Sequence, residues 1–148
     1  MGLKIEIQDA IKAAMKSGDQ LTLSTLRLLM SSLHNEEIKQ RRELTSEEIW
    51  KTISSLCRQR QEAIKYFQQG ERPDLEKKEE AELSVLRGFL PQALSDEDLS
   101  TLIQSSIEEV GAKGVKDLGR VMKQIMPKVT GRVEGKRVSE LAKEILSC

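Results

Sequence analysis

Seven cations near the C-terminus are the residues best placed to do chemistry. Lys116, Arg120 and Lys123 recur at intervals of four and three, and Lys128, Arg132, Lys136 and Arg137 thread through MPKVTGRVEGKRVSELAKEIL, residues 126–146. Cations beside glycines suit an anionic oxygen, because glycine lets a backbone approach a phosphate closely. A nucleotide loop of the GxxxxGK[ST] type would need four residues between its glycines, then Ser or Thr for magnesium, all following a buried strand. Gly131 and Gly135 enclose three residues, Arg137 stands where Ser or Thr should, and no strand pattern precedes them. Nucleotide hydrolysis is thereby set aside. GAKG at 111–114 has the form of a KH-domain clamp, but that fold needs a sheet. What remains is contact with a phosphate backbone.

Other chemistries find less. The single histidine gives one possible triad, Ser31, His34 and Glu37. Within a helix the backbone N–H groups are already committed to carbonyls four residues back, so none is left to form an oxyanion hole. Cys57 and Cys148 form no CxxC pair, so neither a zinc site nor a disulfide framework is expected, and a reducing compartment fits. Cys57, beside Leu56, reads as a small buried hydrophobe. No catalytic residue, metal or cofactor is assigned.

The elements carrying these residues read as helices throughout, because apolar residues return every three or four positions. Seven segments are expected and no strand. The first, about Leu3 to Ser17, stops at Gly18. Asp19 caps the second, which runs to about Arg42. Thr45 with Glu48 forms a capping box for the third, which Gly70 stops. Pro73 opens a fourth that ends near Pro91, a residue unfavourable to helix at Leu90. Ser95 caps the fifth, where Asp96, Glu97 and Asp98 suit the helix dipole. A sixth runs through Leu118, Val121, Met122 and Ile125 to Pro127, taken as its end, and a seventh carries Val138, Leu141 and Ile145. The fold is therefore expected to be all-α, with an N-terminal domain of about four helices, 1–91, and a three-helix bundle, 92–148. Gly119, Pro127, Gly131 and Gly135 are assigned to loops and turns.

Lys and Arg total 24, as do Asp and Glu, in a chain of 148 residues. That neutrality is a cancellation. Residues 71–109 hold 11 acids and 4 bases, whereas 113–137 hold 8 bases and 2 acids. On the sixth helix Arg120 and Lys123, with Lys116, fall opposite Leu118, Val121 and Ile125, which makes an outward cationic stripe. Every aromatic residue, Trp50, Tyr66, Phe67 and Phe89, lies upstream, so folded RNA held through its backbone is favoured over single strands held by stacking. A second reading gives the acidic stretch Glu76 to Glu82 to another helical protein. The charged N-terminus lacks a signal-peptide core and no run of 18 apolar residues occurs, so a cytoplasmic protein without membrane contact is expected. Glu6 stands where a myristoylation signal on Gly2 would want Ser or Thr.

STLRLLMSSLHNEEI, RQEAIKYFQQGERPDLEKKEEAELSVLRGFLPQALSDEDL and DLGRVMKQIMPKVTGRVEGKRVSEL occur in this order over nearly the whole chain. Together they resemble the YqeY family of small bacterial proteins. The C-terminal part of that family is similar to the tail domain of the B subunit of the tRNA-dependent amidotransferase, a glutamine-dependent carbon-nitrogen ligase whose tail helps hold tRNA. The resemblance implies an N-terminal helical domain, a three-helix domain, and tRNA or a tRNA-like RNA as partner. The matching positions are Gly119, Arg120, Met122, Met126, Pro127, Lys128, Gly131, Arg132, Gly135, Lys136 and Val138. Thr130 replaces the usual first cation of the loop, and Val133 with Glu134 replaces a small-acidic pair. Nothing resembles the amidotransferase's catalytic body, so a ligase label inherited from the tail describes the neighbouring enzyme, and carbon-nitrogen ligase activity as part of a complex stands as a third reading after RNA binding and protein docking.

Overall fold

The computed structural model describes residues 2–147, which are helical with connecting turns and contain no strand. The chain divides into two compact units, Met1–Leu90 and Pro91–Cys148. Cys148 lies outside the described residues.

The first unit holds α1 (Gly2–Ser17), α2 (Gln20–Gln40), α3 (Ser46–Gln69) and α4 (Pro73–Arg87). Asp19 caps α2 by accepting the Thr22 N–H at 3.1 Å. Thr45 and Glu48 close the expected capping box on α3, the hydroxyl accepting from Glu48 N at 3.2 Å and the carboxylate from Thr45 N at 3.1 Å. α3 and α4 pack as a hairpin, α2 lies against α4, and α1 lies against α2. Ile7, Leu26, Leu29, Leu33, Ile53 and Leu86 form the middle of the core.

Two helix ends, those of α2 and α4, differ from the sequence reading, and that of α3 agrees. α2 ends at Gln40, where Arg41 turns left-handed at φ 56° and its N–H reaches the Glu37 carbonyl. α3 does end before Gly70, but Gly70 stays at φ −84° and Glu71 takes the left-handed position at φ 53°. α4 stops at Arg87, because successive N–H groups of Gly88, Phe89 and Leu90 bond three residues back and tighten the chain ahead of Pro91.

The second unit holds α5 (Asp96–Val110), a 3-10 turn (Val115–Asp117), α6 (Leu118–Val129) and α7 (Gly135–Leu146). Ser95 caps α5 through the Asp98 N–H at 3.1 Å. The three α-helices pack mutually around Leu99, Ile103, Val121, Ile125, Val129, Val138 and Ala142, all fully buried.

Pro127 does not end the sixth helix; it lies inside α6, which continues to Val129. Proline's φ suits a helix, but it withholds the N–H that the Lys123 carbonyl would have accepted and its ring crowds that same carbonyl. Pro127 is exposed, so water can serve that carbonyl. The final turn is anchored by buried Val129 and by Thr130, whose N–H and hydroxyl both bond the Met126 carbonyl at 3.0 and 2.6 Å. Gly119 likewise falls in the first turn of α6 and Gly135 opens α7, so of the four residues assigned to loops only Gly131, at φ 82°, makes a turn.

Candidate nucleic-acid interface

α6 is sharply two-sided. Val121, Ile125 and Val129 are inaccessible to solvent, while Arg120, Lys123 and Pro127 on the opposite side are exposed. Lys116 is exposed too, but it sits in the 3-10 turn before α6 rather than on the helix. The cause is Asp117, whose carboxylate accepts the Lys113 N–H at 2.9 Å and closes the turn. That backbone bond, ahead of the charges of Arg120 and Lys116, holds Asp117 below its ordinary pKa.

The α6–α7 loop and α7 bring the remaining cations. α7 begins without a side-chain cap, and Lys136 and Arg137 occupy its first turn. Cations at a helix N-terminus are electrostatically disfavoured, unlike the acids that open α5. Arg137 is compensated by Asp96, the first residue of α5: its Nη2 donates to Oδ2 at 2.8 Å and its Nε to Oδ1 at 3.3 Å. The pairing holds the Asp96 carboxyl below the usual aspartate range and raises the Arg137 guanidinium.

Arg120, Lys128 and Arg132 are also engaged. Arg120 pairs with Asp117 at 3.3 Å and donates to the Val110 carbonyl at the end of α5. Lys128 reaches Glu109 Oε2 at 3.5 Å, an oxygen that also accepts from Gln124. Arg132 Nε donates to the Gln92 carbonyl at 3.0 Å while its own carbonyl accepts the Leu94 N–H at 3.1 Å, which fastens the entering segment to the α6–α7 loop. Lys116, Lys123 and Lys136 make no hydrogen bond or ion pair among the described residues. The expected patch therefore divides into four cations that brace the bundle and three that project from it.

The bracing follows from the charge segregation along the chain: Asp96 and Glu109 belong to the acidic stretch and the cations to the basic one, and because α5, α6 and α7 form one bundle, opposite signs meet. The acidic stretch from Glu76 to Glu82 also resolves differently. Glu82 is buried and Glu79 largely so, both turned toward Arg60 of α3 at 3.2 and 3.6 Å, and Glu76 accepts from Gln68. Only part of that stretch is free to meet a partner.

Ser31, His34 and Glu37 do not assemble as a triad. Glu37 accepts from Lys4 of α1 at 2.8 Å and from the Leu44 N–H at 3.2 Å, with His34 Nδ1 at 3.5 Å. The Lys4 bond is the main reason that its carboxyl lies below the ordinary glutamate range. Its role in the fold is to tie α1 and the α2–α3 loop to α2. Cys57 is a free, buried thiol, and burial raises its pKa. No group of His, Cys, Asp and Glu suited to a metal occurs among the described residues, and no described helix is long and apolar enough to cross a membrane.

Residues 4–146 match the family described as YqeY-like protein. Among curated proteins the chain is 26% identical over 143 residues to "Altered inheritance of mitochondria protein 41, mitochondrial" of Pyrenophora tritici-repentis, covering 95% of this chain and 78% of that protein. The protein of the same name from Lachancea thermotolerans is 31% identical over 103 residues, 68% of this chain and 55% of its own. That from Clavispora lusitaniae is 29% identical over 119 residues, 78% and 69% respectively. These relatives are fungal and carry "mitochondrial" in their names, so they lend no support to a bacterial source or to a cytoplasmic location.

Proposed function

The chain belongs to the YqeY-like family, and on that premise we propose that it is an RNA-binding accessory protein, not itself a catalyst. Its C-terminal unit grips tRNA or a tRNA-like shape through phosphates, in support of aminoacylation or tRNA-dependent amidation. It works in a reducing compartment, in keeping with a free thiol at Cys57. One observation carries the reading: the side of α6 opposite its buried stripe presents exposed cations, flanked by Lys116 and Lys136, in a unit without an aromatic residue. Such a surface can neutralise phosphates but has nothing on which to stack a base.

Binding of unfractionated tRNA across a salt series tests it. Replacing Lys116, Lys123 and Lys136 together by Ala should weaken affinity and flatten the dependence of log K on log salt by about 2, since each phosphate contact contributes roughly 0.7–0.9 to the slope. These three lysines brace nothing among the described residues, so the unfolding midpoint should not move. Absence of tRNA binding at low salt, or binding indifferent to all three substitutions, refutes the proposal.

A further inference from the structure

We propose that α5 is a built-in competitor for phosphate, its Asp96 and Glu109 carboxylates occupying Arg137 and Lys128 so that the C-terminal unit offers RNA fewer cations than it carries. The inference rests on the RNA-binding reading and deepens it from the site to its regulation. α5 supplies acid at both ends of its length: Asp96 opens the helix against Arg137 of α7, and Glu109 lies in its last turn against Lys128 of α6. Both pairs are open to water, with side chains 39% and 69% exposed for Arg137 and Asp96, and 39% and 49% for Lys128 and Glu109. Exposed pairs of this kind are weak and screened by salt, so a strongly charged backbone can take the cation from the carboxylate. A buried pair would lock the cation away, whereas an exposed one lets polyanion density decide.

The two carboxylates differ from their neighbours. Glu97 and Glu108 are on the same helix and carry the same charge, yet neither holds a cation among the described residues. If α5 acted through net charge alone, the four positions would be equivalent. If it acts by occupancy, Asp96 and Glu109 are the α5 acids that matter, Asp96 holding Arg137 at 2.8 Å where Glu140 of α7 itself stands off at 4.0 Å.

Unfractionated tRNA is titrated into the full chain across a salt series, with the wild type beside two double variants of identical charge. In Asp96→Asn/Glu109→Gln the freed cations should raise affinity at low salt by roughly tenfold and steepen the salt slope by about 1 to 2. In Glu97→Gln/Glu108→Gln the slope should equal the wild type's. Adding Arg137→Gln should cost little in the wild type and remove much of the gain in the first double variant. Equal gains in both double variants overturn the competitor while leaving RNA binding intact. Binding by none of the proteins overturns both readings. Should Asp96→Asn disturb folding, Glu109→Gln against Glu108→Gln gives the same comparison at one pair.

Discussion

In the N-terminal unit Arg60 meets Glu79 and Glu82 with every side chain less than a fifth exposed, whereas in the C-terminal unit Arg137 meets an Asp96 that is 69% exposed. The partners are chemically alike and the surroundings are not. Between α3 and α4 the charges have lost much of their water, and Arg60 Nε and Glu79 Oε2 are buried without a hydrogen bond, so each charge depends on the others being present. On the bundle of α5, α6 and α7 the Arg137–Asp96 and Lys128–Glu109 pairs keep their water and can open at little cost, Asp117 beside Arg120 being the one carboxylate among the bundle's described ion pairs that is as covered as those of the first unit. The first arrangement bears on whether the unit folds, the second on what its surface can hold.

The strongest way to break this comparison is Arg60→Ala. It leaves two acids facing each other inside the α3–α4 hairpin and should cost about 3 kcal/mol in denaturant unfolding, whereas Asp96→Asn should cost less than about 1 kcal/mol. Equal losses would mean that exposure does not separate the two kinds of pair. Next is Thr45→Ala, which removes the α3 cap and should cost about 1 kcal/mol by the same measurement. Smaller and opposite in sign is Glu71→Gly: the left-handed position after α3 suits glycine, and the substitution should gain about 0.5–1 kcal/mol in thermal unfolding.

Acid sharpens the comparison further. The Arg42 guanidinium, then the Thr45 N–H, lower the Glu48 carboxyl from its ordinary 4.5 to about 2. A carboxylate lowered on folding adds stability above its unfolded pKa and gives it up as pH falls through the folded value. The N-terminal unit should therefore weaken from about pH 4.5 down to about 2, as followed by helical ellipticity. Glu48→Gln should flatten that part of the profile.

Much of the helical plan was legible because its signals are local. Asp19, Thr45 and Ser95 each bond an N–H three residues on, and Gly18 and Gly111 take the left-handed φ that ends a helix. Pro127 misled because proline's cost depends on which side of the helix it occupies, and its exposed position follows from packing. Gly70 does stop α3 as read, although the left-handed turn itself falls one residue later, at Glu71. The exposure of Lys123 on α6 could be read from spacing, whereas Lys116 sits in the 3-10 turn before the helix and Lys136 belongs to the first turn of α7. The bracing roles of Arg120, Lys128, Arg132 and Arg137 could not be read so, since their partners lie on other elements and the register between helices is a tertiary property.

The clasp at Arg132 has a consequence for inheritance. Because that residue both gives a bond to Gln92 and takes one from Leu94, the entrance to the C-terminal unit is tied to the unit's own far loop. A gene fragment beginning near codon 91 would therefore encode both halves of that fastening.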